Sequence, residues 1–216
     1  MSTPDEPSYR KRSGYQAGLL GGFATLAAVL LVISNMITKD AIGERQREDL
    51  LASLSQVIPS ELHDNDLLAD TLTIKAGDQQ RVIYRASRDN VITAVAYQIT
   101  GYGYAGAIEL LLGLNDKGEL LGVRVLSHAE TPGLGDKIEP EKSNWIFGFN
   151  GLSLDNTPDK DWAVKKDGGR FDQFSGATIT PRGVVKAIKE GLEFFREHKG
   201  QLLAKQSTLT VNKPED

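Results

Sequence analysis

Asp172-Gln173-Phe174-Ser175-Gly176-Ala177-Thr178-Ile179-Thr180 sets hydroxyl side chains around a glycine and an alanine, directly before a segment of helical periodicity. The small side chains of Ser175, Gly176 and Ala177 leave the backbone open to approach, and the unpaired amides at a helix start favour an anion. The chemistry on offer is a seat for a phosphate group. The same residues also suit a strand-to-helix turn in which Ser175 and Thr180 merely cap backbone groups, and their chemistry alone favours that turn. A second stretch, Ser127-His128-Ala129-Glu130-Thr131-Pro132-Gly133-Leu134-Gly135, is too rich in glycine and proline for a regular element and is expected to be a loop.

Composition removes several kinds of chemistry. The 216 residues contain no cysteine, so thiolate metal sites, iron-sulfur ligation and disulfides are excluded for this chain alone. His63, His128 and His198 show no metal-ligand spacing and are expected to be ordinary surface or packing residues, so no metal is expected. A formal net charge of −4, with both signs mixed along the chain, provides no basic face for a nucleic acid.

The elements that must position these residues fall into one apolar span and one domain. Ala17 to Ile37 carries no charge, and at ~1.5 Å per residue it covers about 30 Å, the hydrocarbon thickness of a bilayer. The run exceeds the about 7 to 15 residues of a signal core and no Ala-x-Ala site follows it, which predicts an uncleaved anchor. Arg10, Lys11 and Arg12 before the span are matched by Lys39, Arg45 and Arg47 after it. A long domain is translocated largely regardless of its charge, so the short basic tail is expected in the cytoplasm and the domain on the outer face of a bacterial inner membrane. Gly18 and Gly22 have the spacing of a helix-pairing face, which glycine-rich composition explains equally well.

Beyond the span, Ile42, Leu50, Leu51, Leu54 and Val57 recur at near-helical spacing until Pro59, which predicts a linker helix. Period two in Leu72–Ile74, Val82–Tyr84 and Val91–Ile99 predicts half-buried strands, and Ile108–Leu114 with Leu121–Val125 should form a hairpin across Asn115-Asp116-Lys117-Gly118. A helix is expected near Lys142–Phe149, and Trp162–Lys165 should pair with Gly169–Phe174 as short strands. The last helix has Thr180 as its expected N-cap, Pro181 at its first position and an apolar stripe of Val184, Val185, Ile188, Leu192 and Phe195. The expected fold is α+β: residues 1–14 a cytoplasmic tail, 15–38 a transmembrane helix, 39–60 a linker helix, 61–206 one periplasmic domain of largely antiparallel sheet with packed helices, and 207–216 a flexible tail.

Asp172-x-x-Ser175-Gly176-Ala177-Thr178 resembles the flavinylation motif of the FMN-binding domain family, and Glu130-Thr131-Pro132-Gly133-Leu134-Gly135 resembles that family's second signature at every position. Together with Gly103-Tyr104-Ala105-Gly106-Ala107-Ile108, the single anchor and the length, the chain resembles the G subunits of the Rnf (Rsx) ion-translocating electron-transport complex. The resemblance implies one FMN joined through its phosphate to Thr178, with Ser175, Gly176, Ala177, Glu130, Thr131, Leu134 and Gly135 around it. It implies a flavin transferase that attaches the group from FAD with magnesium, with Asp172 as a recognition residue or a supporting group. The implied partners are the other subunits of the membrane complex, and the implied role is electron relay between ferredoxin and NAD coupled to ion movement. No catalytic side chain is expected. The backbone of the Glu130–Gly135 loop and Thr131 are then expected to approach the flavin, with a rigid connector as the alternative. Tyr104, Trp145 and Trp162 are candidates for stacking, although lone aromatics are more often core residues. Rival readings are the C subunit of a sodium-translocating NADH:quinone reductase and a non-redox membrane-anchored binding or assembly protein.

Overall fold

The structure, a computed structural model, describes residues 13–76 and 79–204. Nearly all of the expected cytoplasmic tail and the whole of the expected C-terminal tail lie outside the described residues. The chain divides into two compact units, one ending at Asp49 and the other beginning at Leu50. The expected span and linker helix are one continuous helix, α1 (Ser13–Val57), which stops just before Pro59. Within the first unit, the 21 residues Ser13–Ile33 form an uncharged stretch with exposed side chains, long enough to cross a bilayer.

The second unit is built on a five-stranded antiparallel sheet whose strands follow chain order: β1 (Thr71–Ala76), β2 (Gln79–Arg88), β3 (Val91–Tyr102), β4 (Ala107–Asn115) and β5 (Leu120–Ser127). Asp89 and Asn90 both have positive φ, 52° and 61°, as a two-residue type I′ hairpin requires, and Asn and Asp tolerate that region best after glycine. The predicted β4–β5 hairpin turns where Asn115 Oδ1 accepts from the Lys117 and Glu119 amides, each at 2.9 Å.

Strand alternation sends Val95, Tyr97 and Ile99 to one face of the sheet and Ala94 and Ala96 to the other. The first face is covered by α2 (Ile179–Leu202), through Val184, Val185, Ile188, Leu192 and Phe195, and by the 3₁₀ helices Gly135–Ile138 and Asn144–Phe149. Tyr97 is wholly buried there; its hydroxyl donates to the Gly191 carbonyl at 2.8 Å, and burial pushes its pKa upward. The second face is surfaced with small residues so that chain can lie directly on it. A Cβ at Gly113 would stand 2.2 Å from the Val57 carbonyl oxygen, and Leu54, Val57 and Ile58 are fully buried against Ala86, Ala94 and Ala96. The last turns of α1 therefore supply core, and the compact unit begins at Leu50 rather than at residue 61.

Two local expectations differ from the structure. The segment near 142–149 is a 3₁₀ helix, Asn144–Phe149, started by Ser143, whose hydroxyl accepts from the Trp145 amide. Trp162–Lys165 and Gly169–Phe174 do not pair as strands. They meet in the single bridge Val164–Phe171 around a 3₁₀ turn, Lys165–Asp167, closed by Gly168 at φ 87°. Trp162 and Val164 still alternate with Ala163 and Lys165 in burial, but the 3₁₀ turn begins at Lys165 and leaves the pairing with Phe171 at one bridge.

Candidate functional site

The Ser-Gly-Ala-Thr motif sits on a turn whose geometry its residues dictate. The Ala177 amide donates to the Phe174 carbonyl at 3.1 Å, and Gly176, the third residue of that turn, has φ 80°. That is a type II turn, in which the third position needs positive φ and hence glycine. Phe174 is buried and meets the Trp145 ring edge-on at 5.2 Å, while Trp145 Nε1 donates to the Asp172 carbonyl at 2.8 Å. The motif thus leaves the core from a braced base. Asp172 itself is exposed and pairs with Lys165 at 2.6 Å.

After the turn α2 begins, and its first turn leaves backbone donors unpaired. Pro181 has no N–H, and the Ile179 and Thr180 amides find no backbone acceptor among the described residues. Thr178 flanks the helix start; its hydroxyl caps nothing and makes no hydrogen bond among the described residues. Thr180, expected as the N-cap, lies inside the helix and is wholly buried, with its hydroxyl donating to Glu130 Oε2 at 2.5 Å. The expectation failed because the acceptor comes from a loop remote in sequence. Arg182 in the same turn forms a bidentate pair with Asp167 at 2.5 and 2.6 Å, and that hydrogen bond holds the exposed Asp167 carboxyl below the usual range.

Glu130 joins three segments. Its Oε1 accepts from the Ala105 amide at 2.9 Å, its Oε2 accepts from Thr180, and its own amide donates to His128 Nδ1 at 3.0 Å. His128 Nδ1 is therefore an acceptor, which leaves the proton on Nε2 to donate to Glu139 at 2.6 Å. This histidine, expected to be an ordinary surface or packing residue, orients the loop. Glycines make room for the carboxylate: a Cβ at Gly103 would stand 2.3 Å from Oε1, and one at Gly135 2.5 Å from Oε2. Close approach also places α2, since a Cβ at Gly183 would lie 2.0 Å from the Tyr102 carbonyl oxygen.

These contacts create a cleft of about 320 Å³ lined by Tyr104, Glu130, Thr131, Leu134, Gly135, Gly176, Ala177, Thr178 and Ile179. The two motifs, distant in sequence, meet in it. Ser175 stands at the exposed corner of the turn and does not line it. Of the three aromatic candidates, Tyr104 lines the cleft with 76% of its surface exposed, Trp145 braces the motif from behind, and Trp162 is buried in the core. Ile179, 47% exposed, lines the cleft although nothing in the sequence singled it out; its place between Thr178 and Thr180 was the available signal. Among the described residues no cluster of potential metal ligands is found.

The cleft is open, with apolar walls at Tyr104, Leu134 and Ile179 and with Thr178 in its lining beside the start of α2. Residues 103–193 match the FMN-binding domain family, a range that contains every residue lining the cleft. The G subunit of the ion-translocating oxidoreductase complex of Cereibacter sphaeroides is 52% identical over 86% of this chain and 85% of its own. The same-named protein of Stutzerimonas stutzeri is 48% identical over 95% and 87%, and that of Shewanella piezotolerans 46% identical over 94% and 99%. The chain belongs to this family of ion-translocating oxidoreductase G subunits. The crystal structure of NqrC from Shewanella oneidensis is 26% identical over 69% of this chain and 73% of its own, with a TM-score of 0.46.

Proposed function

We propose that this chain is the membrane-anchored flavoprotein subunit of an ion-translocating electron-transfer complex, holding one FMN through a phosphoester to Thr178. The observation that carries the proposal is the convergence of the two motifs on one cleft in which Thr178 presents a hydroxyl engaged by nothing else described. Thr180 is wholly buried and committed to Glu130, and Ser175 lies outside the lining, which supports Thr178 over both.

The residues fit FMN. The unpaired amide of Ile179 at the start of α2 suits a phosphate beside Thr178, and Tyr104, Leu134 and Ile179 suit the faces of a ring. Bound there, FMN supplies one- and two-electron chemistry, while the protein sets position and exposure. An unperturbed threonine hydroxyl is a weak nucleophile, so a flavin transferase must supply the base and metal. In that step Thr178 Oγ1 forms a bond to the FMN phosphorus of FAD, the pyrophosphate bond breaks, AMP leaves, and the base takes the hydroxyl proton. The apolar stretch Ser13–Ile33 supports an inner-membrane anchor beside the other subunits of the complex, and the short basic run Arg10-Lys11-Arg12 before it supports a domain on the periplasmic side. Anchoring raises the effective concentration of the flavin next to those partners.

Intact mass of the denatured native protein tests the assignment. The expected mass exceeds that of the polypeptide by one FMN less one water, and the unmodified mass would overturn it. A reporter fused after Asp216 should be active only outside the cytoplasm; cytoplasmic activity would reverse the orientation and the compartment of attachment.

A further inference from the structure

Glu130 is 6% exposed, yet both of its carboxylate oxygens accept hydrogen bonds from neutral donors, the Ala105 amide and the Thr180 hydroxyl. Both oxygens thus have partners, and neither partner carries a charge. The ion pairs of this region join His128 to Glu139, Lys142 to Asp136 and Lys165 to Asp172, and none among the described residues reaches Glu130. A buried charge ordinarily has an opposite charge beside it, because hydrogen bonds from neutral groups leave the net charge in place. Here the unpaired charge forms part of the cleft wall.

Gly103 and Gly135 show that the fold is shaped around this side chain, since a Cβ at either position would collide with it. A clamp on Thr180 and Ala105 alone could be built by a neutral amide, which carries an acceptor and a donor within the same outline. The charge therefore invites an explanation beyond positioning.

We infer that Glu130 sets the reduction potential of the flavin, a role that rests on the function proposed above. Two electrons and one proton added in the cleft leave it one unit of charge more negative, and a fixed carboxylate in a poorly solvated wall opposes that addition. The group is thereby held at a lower potential and made a stronger donor to the next centre. Glu130 acts through space as a tuning residue and takes no proton or electron itself.

The test is an anaerobic dithionite titration of the flavin-loaded, detergent-purified full-length protein, followed in the visible spectrum. Glu130→Gln preserves the outline and both contacts, because its amide oxygen accepts from Ala105 and its NH₂ donates to the Thr180 oxygen. Its midpoint potential should move positive relative to wild type. Thr180→Val removes a hydrogen bond but keeps the charge, and its potential should stay with wild type. Should Glu130→Gln fail to accumulate with flavin, Glu130→Leu combined with Thr180→Val removes the charge and its partner hydroxyl together and should show the same positive shift. A loaded wild type whose potential the uncharged variants leave in place overturns this inference alone. So does a Thr180→Val shift as large as that of Glu130→Gln, which would assign the effect to geometry. A wild type without flavin overturns the underlying function and this inference with it.

Discussion

At its N-terminal end α2 rests on polar contacts and bare backbone: Thr180 on Glu130, and Gly183 against the Tyr102 carbonyl. At its C-terminal end the same helix is held by rings and area. Phe194 meets Tyr97 edge-on at 5.3 Å, lies under the Arg81 guanidinium at 4.7 Å and packs on His198 at 4.4 Å. Arg85, paired with Asp70, adds a hydrogen bond to the Ala204 carbonyl at 3.1 Å. Both ends bury apolar side chains, Val184 and Val185 at the first and Leu192, Phe194 and Phe195 at the second, but only the first adds polar and bare-backbone contacts at the cleft, while the second adds the ring contacts. Changes at the first should alter what the cleft holds while the fold survives. Changes at the second should weaken the fold and leave the cleft chemistry intact in the molecules that remain folded.

The sharpest separation comes from Thr178→Val, which keeps the side-chain shape and removes the hydroxyl. Intact mass should show complete loss of the flavin increment, with an unchanged melting temperature for the unloaded protein. Thr180→Val should retain the increment, and its loss there would reassign the acceptor. At the other end Phe194→Ala should cost about 3–5 kcal/mol in urea unfolding, as for other buried aromatics, with the flavin content of the folded fraction unchanged. A drop in that content would mean that the two ends are not separable.

Gly183→Ala tests placement by close approach. Helix propensity favours the alanine by about 1 kcal/mol, but its methyl group would press on the Tyr102 carbonyl, and such overpacking costs typically about 1–3 kcal/mol. The expected result is net destabilisation with reduced flavin loading; a stabilised, fully loaded variant would show that α2 can sit elsewhere. The smallest effect is expected at Asp167, whose carboxyl is held low chiefly by the hydrogen bond from Arg182. A depressed acid stabilises the fold above its ordinary titration range and loses that contribution as pH falls below about 4. Because the pair lies on the solvent-exposed surface, Asp167→Asn should change the acid limb of the stability curve barely at all and leave flavin loading untouched.

The sheet and α2 were legible because their signals are local: period-two strands, the Asn115–Gly118 turn, and the apolar stripe from Val184 to Phe195. The two motifs were legible as motifs, but their meeting was not, since nothing within either run encodes the other. Thr180 shows why. A threonine before proline reads as a cap, and only the folded chain reveals a carboxylate fifty residues away as its partner. The last turns of α1 were read as a linker for a related reason: an amphipathic helix does not name the surface that it covers. The glycines at 113 and 122, each flanked by apolar residues in its strand, carried that information as sites of close backbone approach. The failed pairing of Trp162–Lys165 with Gly169–Phe174 is the converse case, in which a suitable alternation of buried residues was cut short by the 3₁₀ turn at Lys165–Asp167 to a single bridge.

Because neighbouring strands of the sheet are also neighbours in sequence, each hairpin can close with a short loop, whereas α2 must return across 94 residues to place the Gly191 carbonyl on the Tyr97 hydroxyl. Folding then has an order in time. Pulsed hydrogen-exchange labelling during refolding should find the amides of β3 and β4 protected before those of α2. Until α2 docks, Thr178 belongs to a chain segment without a fixed partner, and afterwards it stands at a rigid mouth. On the function proposed above, offering a flavin transferase both refolding and fully folded protein, and comparing the rates of flavin incorporation, tells which of the two stages receives the group.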